Sequence, residues 1–155
     1  MKEYYIDIYN KFIKLARNKE LYKDFKNQDE FSDRLTFFLI HFAIFFKVFR
    51  NKENKIVLQE IYDFTFRQLE LGIREIGYGD QSINKKMKDY INLFHDIIDK
   101  FHFWDDLSKE EKEKIIIKYT LNSKNSLFLL DYFENFLASL KENTLNSYIK
   151  SVIKT

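Results

Sequence analysis

The sequence holds no proline and three glycines in 155 residues. Tight turns draw on both residue types, so a chain this poor in them is pushed away from all-β folds and towards helices. The apolar spacing runs the same way. Residues 4–17 repeat at Tyr5, Ile8, Tyr9, Phe12, Leu15 and Ala16, and a short piece follows over 21–25. Residues 31–50 are apolar almost all round, the mark of a helix buried on every side. Within them, 35–46 is an uncharged stretch bracketed by Arg34, Lys47 and Arg50. A membrane crossing takes about 20 apolar residues, so this stretch reads as a core helix.

Residues 55–76 form the clearest amphipathic pattern. One stripe carries Tyr62, Phe66, Leu69, Ile73 and Ile76, and the opposite one Glu60, Asp63, Arg67, Glu70 and Arg74. Val57, Phe64 and Leu71 add a second apolar line, so the helix is expected to bury more than one side, its charges forming either a solvated ladder or a face packed against another helix or a partner. Gly77-Tyr78-Gly79 stops it, since a glycine past the last turn takes the left-handed backbone that closes a helix. Asp80 or Ser82 is expected to cap a following helix that runs to about residue 103. Ser108 with Glu111 is a capping-box pattern opening another. Further helices are expected over 127–141 and 145–153. The whole reads as an all-α, single-domain bundle (1–155) of about six to eight helices.

Charge gives little direction to function. The chain has 26 basic and 24 acidic residues, without the concentrated basic face that nucleic acid requires, so no nucleic-acid partner is expected. Residues 1–17 carry acids at Glu3 and Asp7 and no apolar core of a secretory signal. The expectation is a cytoplasmic protein, or one peripheral to the inner membrane. With no cysteine, disulfides, thiolate metal sites and cysteine nucleophiles are excluded.

Few constellations carry chemistry. His95, Asp99, His102 and Asp106 follow at intervals of four, three and four, a strip that imidazole and carboxylate ligands could use for a divalent ion. The same strip also fits the solvated edge of a helix whose apolar line is Ile91, Phe94, Ile98 and Phe101. His41 lies among Phe37, Phe38, Ile44 and Phe45 and reads as a hydrogen-bonded core histidine. Asp105-Asp106 with Glu110-Glu111 lacks the spacing of an acidic magnesium–diphosphate site. A phosphate loop, a nucleophile elbow, paired Glu-x-x-His elements and an HExxH motif are all missing from the sequence. No cofactor and no catalytic residue are expected. A metal- or small-ligand-binding helical enzyme built on His95, Asp99 and His102, or a helical adaptor for another partner, remains the alternative.

One stretch goes further. Arg74-Glu75-Ile76-Gly77-Tyr78-Gly79-Asp80, preceded by Tyr62-Asp63-Phe64-Thr65-Phe66 and followed by Lys85-Lys86-Met87-Lys88, resembles the ubiquinol–cytochrome c chaperone family. Ala16-Arg17, Tyr22, Phe25 and the 31–50 helix with His41 look like the family's opening helices. Ile117-Lys118-Tyr119-Thr120 and 127–140 sit where its closing helices fall. The likeness spans about 9–141. The chain departs from the family at Leu93-Phe94-His95-Asp96, where many relatives carry Phe-Tyr-Gly-Arg, and in lacking prolines from the early loops.

The resemblance implies a non-enzymatic assembly factor that binds newly made cytochrome b, or another nascent membrane protein, and promotes assembly of ubiquinol–cytochrome c reductase. In mitochondrial members it implies a small partner protein and the ribosome as further contacts. The partner-binding region expected on that basis is Arg67, Glu70, Arg74, Glu75 and Asp80, with Gly77 and Gly79 setting the turn. Lys85, Lys86 and Lys88 form a small basic cluster suited to acidic client loops or to peripheral contact with anionic headgroups.

Overall fold

The computed structural model describes residues 3–23, 31–122 and 124–154. These form seven α-helices: α1 (Tyr4–Ala16), α2 (Phe31–Phe49), α3 (Lys55–Ile76), α4 (Asp80–His102), α5 (Lys109–Thr120), α6 (Ser126–Lys141) and α7 (Leu145–Lys154). Short 3-10 turns lie at Lys19–Tyr22 and Trp104–Asp106, and no strand occurs among the described residues. Phe25, at the end of the expected 21–25 piece, falls outside them.

The arrangement follows from α2, whose side chains are buried from Leu35 to Phe45 with the exception of Thr36. A helix that is apolar all round can satisfy its surface only by being surrounded, and α1, α4, α5 and α6 pack against it. The core is aromatic. Phe42 stands at its centre, with ring centroids 5.1 Å from Phe94 and 5.8 Å from Phe12, and a further 6.2 Å stack on Phe45. Each buried ring contributes about 2–3 kcal/mol by leaving water, and edge-to-face pairs add about 1 kcal/mol. α3 packs on α4 and α1, and α7 closes over α1.

Helix ends show the local rules at work. Ser108 accepts from the Glu111 backbone while Glu111 accepts from the Ser108 N–H, the reciprocal box read from the sequence. Gly77 takes φ 104° and ends α3, as expected. The α4 start differs from expectation. Gly79 occupies the N-cap position with no side-chain cap, and Asp80 is already helical. Its carboxylate is engaged by Arg74 instead. Gly79 itself has φ −74°, a backbone that any residue adopts, so Gly77 alone requires glycine at this turn.

Inside the core, His41 is fully buried. Its Nδ1 lies 2.6 Å from the Phe37 carbonyl and its Nε2 2.7 Å from the Tyr132 hydroxyl. A carbonyl can only accept, so Nδ1 carries the proton and Nε2 accepts from Tyr132. Burial then lowers the pKa to about 4, against the smaller opposing effect of the Phe37 bond.

Candidate functional site

The corner between α3 and α4 is built by three features. Gly77 turns the chain sharply. Arg74 spans the turn to Asp80, Nη1 to Oδ1 at 2.7 Å, and that hydrogen bond raises the guanidinium pKa further. On the other side Lys86 Nζ lies 4.6 Å from the centre of the Tyr78 ring, a cation–π contact that fixes the turn's one aromatic.

Most of the expected partner-binding residues gather here at the surface. Arg67, Arg74, Glu75, Gly77, Gly79, Asp80, Lys85 and Lys88 are exposed, while Glu70 and Lys86 are half-buried. Of the charges of α3, Arg67 and Arg74 therefore face outward, while Glu60 accepts from the Tyr5 hydroxyl of α1. Glu75 sits near α1: burial raises the pKa of the Tyr9 phenol, Arg17 opposes this, and Glu75 adds to it.

The two apolar lines of α3 do not end as the spacing implied. Phe64 is buried and Val57 half-buried, yet Leu71 is 46% exposed; on the first stripe Ile76 is 57% exposed. With Tyr78 at 43%, they place bare apolar surface amid the charges of the corner. Beside it a small cavity of about 170 Å³ opens between α1, α2 and α3, walled by Gly72 and Ile73 and by Tyr9 and Phe38. Sequence periodicity could not find this surface, because it shows which residues share a face and not where the neighbouring helix stops.

The strip of His95, Asp99 and His102 lies on α4 and forms one wall of a groove of about 920 Å³. His95 Nε2 is 3.1 Å from the Tyr62 hydroxyl. Asp106 leaves the strip, because α4 ends at His102 and the chain turns through Trp104–Asp106. Among the described residues no three His, Asp or Glu side chains converge on a point where a metal ion would sit. The acidic run downstream is dispersed too. Asp105 holds Lys47 at 3.2 Å and Lys141 at 3.3 Å, tying α2 to α6, while Glu111 serves the α5 cap. No helix among the described residues is long and apolar enough to cross a membrane.

The fold is similar to that in the crystal structure of the Cbp3 homolog from Brucella abortus, with a TM-score of 0.74 and 20% identity over 94% of this chain and 84% of that one. No curated protein sequence matches the chain. The sequence model of the ubiquinol-cytochrome C chaperone family matches residues 23–102, which take in the whole of α2, α3 and α4 and the corner between them. With more than half its length in that match, the chain belongs to the ubiquinol-cytochrome C chaperone family.

Proposed function

We propose that the protein is a non-enzymatic chaperone in the assembly of ubiquinol–cytochrome c reductase, and that its client is newly made cytochrome b. The family match over 23–102 carries this reading. Physically, a chaperone must cover apolar client surface that would otherwise aggregate. Leu71, Ile76 and Tyr78, exposed beside Arg67, Arg74 and Glu75, have the mixed character that such a contact needs. Lys85 and Lys88 extend the surface with positive charge, suited to acidic client loops or anionic headgroups.

A tagged copy is expected to co-purify with cytochrome b. Arg67→Ala combined with Arg74→Ala should lower the amount of assembled reductase while the purified variant keeps its helix content and unfolding midpoint. Normal cytochrome b haem content in that strain would refute the assignment of the corner. Charge reversal at Lys85, Lys86 and Lys88 should weaken association with client or membranes in pull-down and flotation.

A further inference from the structure

The groove walled by α4 sits apart from the α3–α4 turn, between the end of α2, the start of α3 and the later part of α4. We propose that it is the docking site of an acidic amphipathic helix supplied by a partner polypeptide. This rests on the reading of the chain as a polypeptide-binding protein, and it assigns a second contact surface to it.

The floor is apolar and aromatic: Phe46, Tyr62, Phe94 and Ile98. Phe94 is buried, while the other three are half-buried and present ring or methyl surface to the opening. The rim is cationic. Arg50, Lys52 and Lys55 line it and are exposed, and none of them is held in an ion pair among the described residues. Lys47 also lines the groove but is taken by Asp105. Asp99 is the one acidic side chain on the lining. Apolar surface bordered on one side by free cations is complementary to a segment that is apolar on one face and acidic on the other.

The start of α3 strengthens the same preference. Its first turn contains no acidic residue, Asn54 makes no side-chain cap bond, and Lys55 is the first helical residue. A cation at a helix N-terminus opposes the macrodipole, and a carboxylate arriving there would relieve both. The end of α2 does not compete, because Asn54 Nδ2 donates to the Phe49 carbonyl at 2.8 Å.

The aromatic floor decides between occupants. The opening of about 920 Å³ is a groove against which a helix can lie with one face buried. A peptide, whose apolar side chains would use the aromatic floor, fits better than a headgroup.

The test uses the full chain and a synthetic peptide of about 15 residues with Leu and Phe at i, i+3, i+4 and i+7 and Glu on the other face. Binding by fluorescence anisotropy at low salt is expected, weakening as salt rises. Arg50→Glu, Lys52→Glu and Lys55→Glu together should lower affinity at least tenfold. The control pair Lys109→Glu and Lys114→Glu, exposed on α5, should leave it unchanged. The three histidines give a direct readout: the imidazole NMR signals of His95 and His102 should shift on peptide addition, while buried His41 stays in place. A Gln-for-Glu peptide that binds equally well, a triple variant with unchanged affinity, or still signals at His95 and His102 would each overturn the proposal. So would binding of phosphatidylglycerol vesicles without binding of the peptide. Because reductase assembly in cells is scored separately, loss of the groove contact leaves the chaperone reading distinguishable.

Discussion

Arg74 reaches across the Gly77-Tyr78-Gly79 turn to Asp80, with 2.7 Å between guanidinium nitrogen and carboxylate oxygen. The last turn of α3 is thereby latched to the first residue of α4. Both side chains stand in solvent, where water and salt screen the attraction. Arg74→Ala or Asp80→Ala should therefore leave the urea midpoint nearly unchanged. Amide exchange across 77–80 should quicken in both variants, because the latch orders the turn. A large fall in global stability in either would contradict a purely local role.

The two turn glycines should respond differently to substitution. Gly77 has φ 104°, where an added Cβ is strained, whereas Gly79 is extended with nothing within 4 Å of a Cβ. Gly77→Ser is expected to cost about 1 kcal/mol. Gly79→Ser should be neutral or stabilising by a few tenths of a kcal/mol, since it supplies the absent α4 cap. Thermal unfolding of the pair checks both signs at once.

Leu121 ends α5 with φ 55° and is 87% exposed. A leucine in the left-handed region is unfavourable by about 1 kcal/mol, and its exposed side chain gains nothing from packing. Leu121→Gly should raise stability by about 0.5 kcal/mol after the added entropy of the unfolded glycine is subtracted. An unfolding midpoint that falls would show that Leu121 packs in solution.

His41 makes stability depend on pH. Its folded pKa of about 4 lies below the ordinary 6.5, so the unfolded chain takes up the proton first. Stability is fully present above pH 6.5 and falls as pH drops towards 4, by about 3 kcal/mol across that window. The single tryptophan, Trp104, is fully buried and reports unfolding by fluorescence. His41→Phe with Tyr132→Phe replaces both polar partners by rings. It should be near neutral at pH 7 and flatten the slope between pH 6.5 and 4.5.

Much of the backbone course was legible because the signals are local. The Ser108–Glu111 box, the Gly77 stop and the all-round apolar character of 31–49 each act within a few residues, through hydrogen bonds or backbone geometry that the sequence names directly. The expected cap at Asp80 or Ser82 failed because the cap position falls on Gly79; Asp80 is already helical and its carboxylate accepts from Arg74. Spacing likewise placed Ile76 on the apolar stripe of α3, but it is the last residue of the helix and its side chain stands in solvent.

The family stretch around Arg74–Asp80 was readable as a string of residues. Its surroundings were not. Nothing in the order of residues brings Lys55 and Arg50 to the same opening as His95 and His102, or sets Phe46 and Tyr62 beneath them. By itself the sequence determined which segments are helices, where α3 stops and α5 starts, and which helix lies at the centre, since propensity, caps and periodicity operate along the chain. The tertiary structure alone decided which faces stay uncovered and which charges meet, because those depend on helix packing between residues far apart in the sequence.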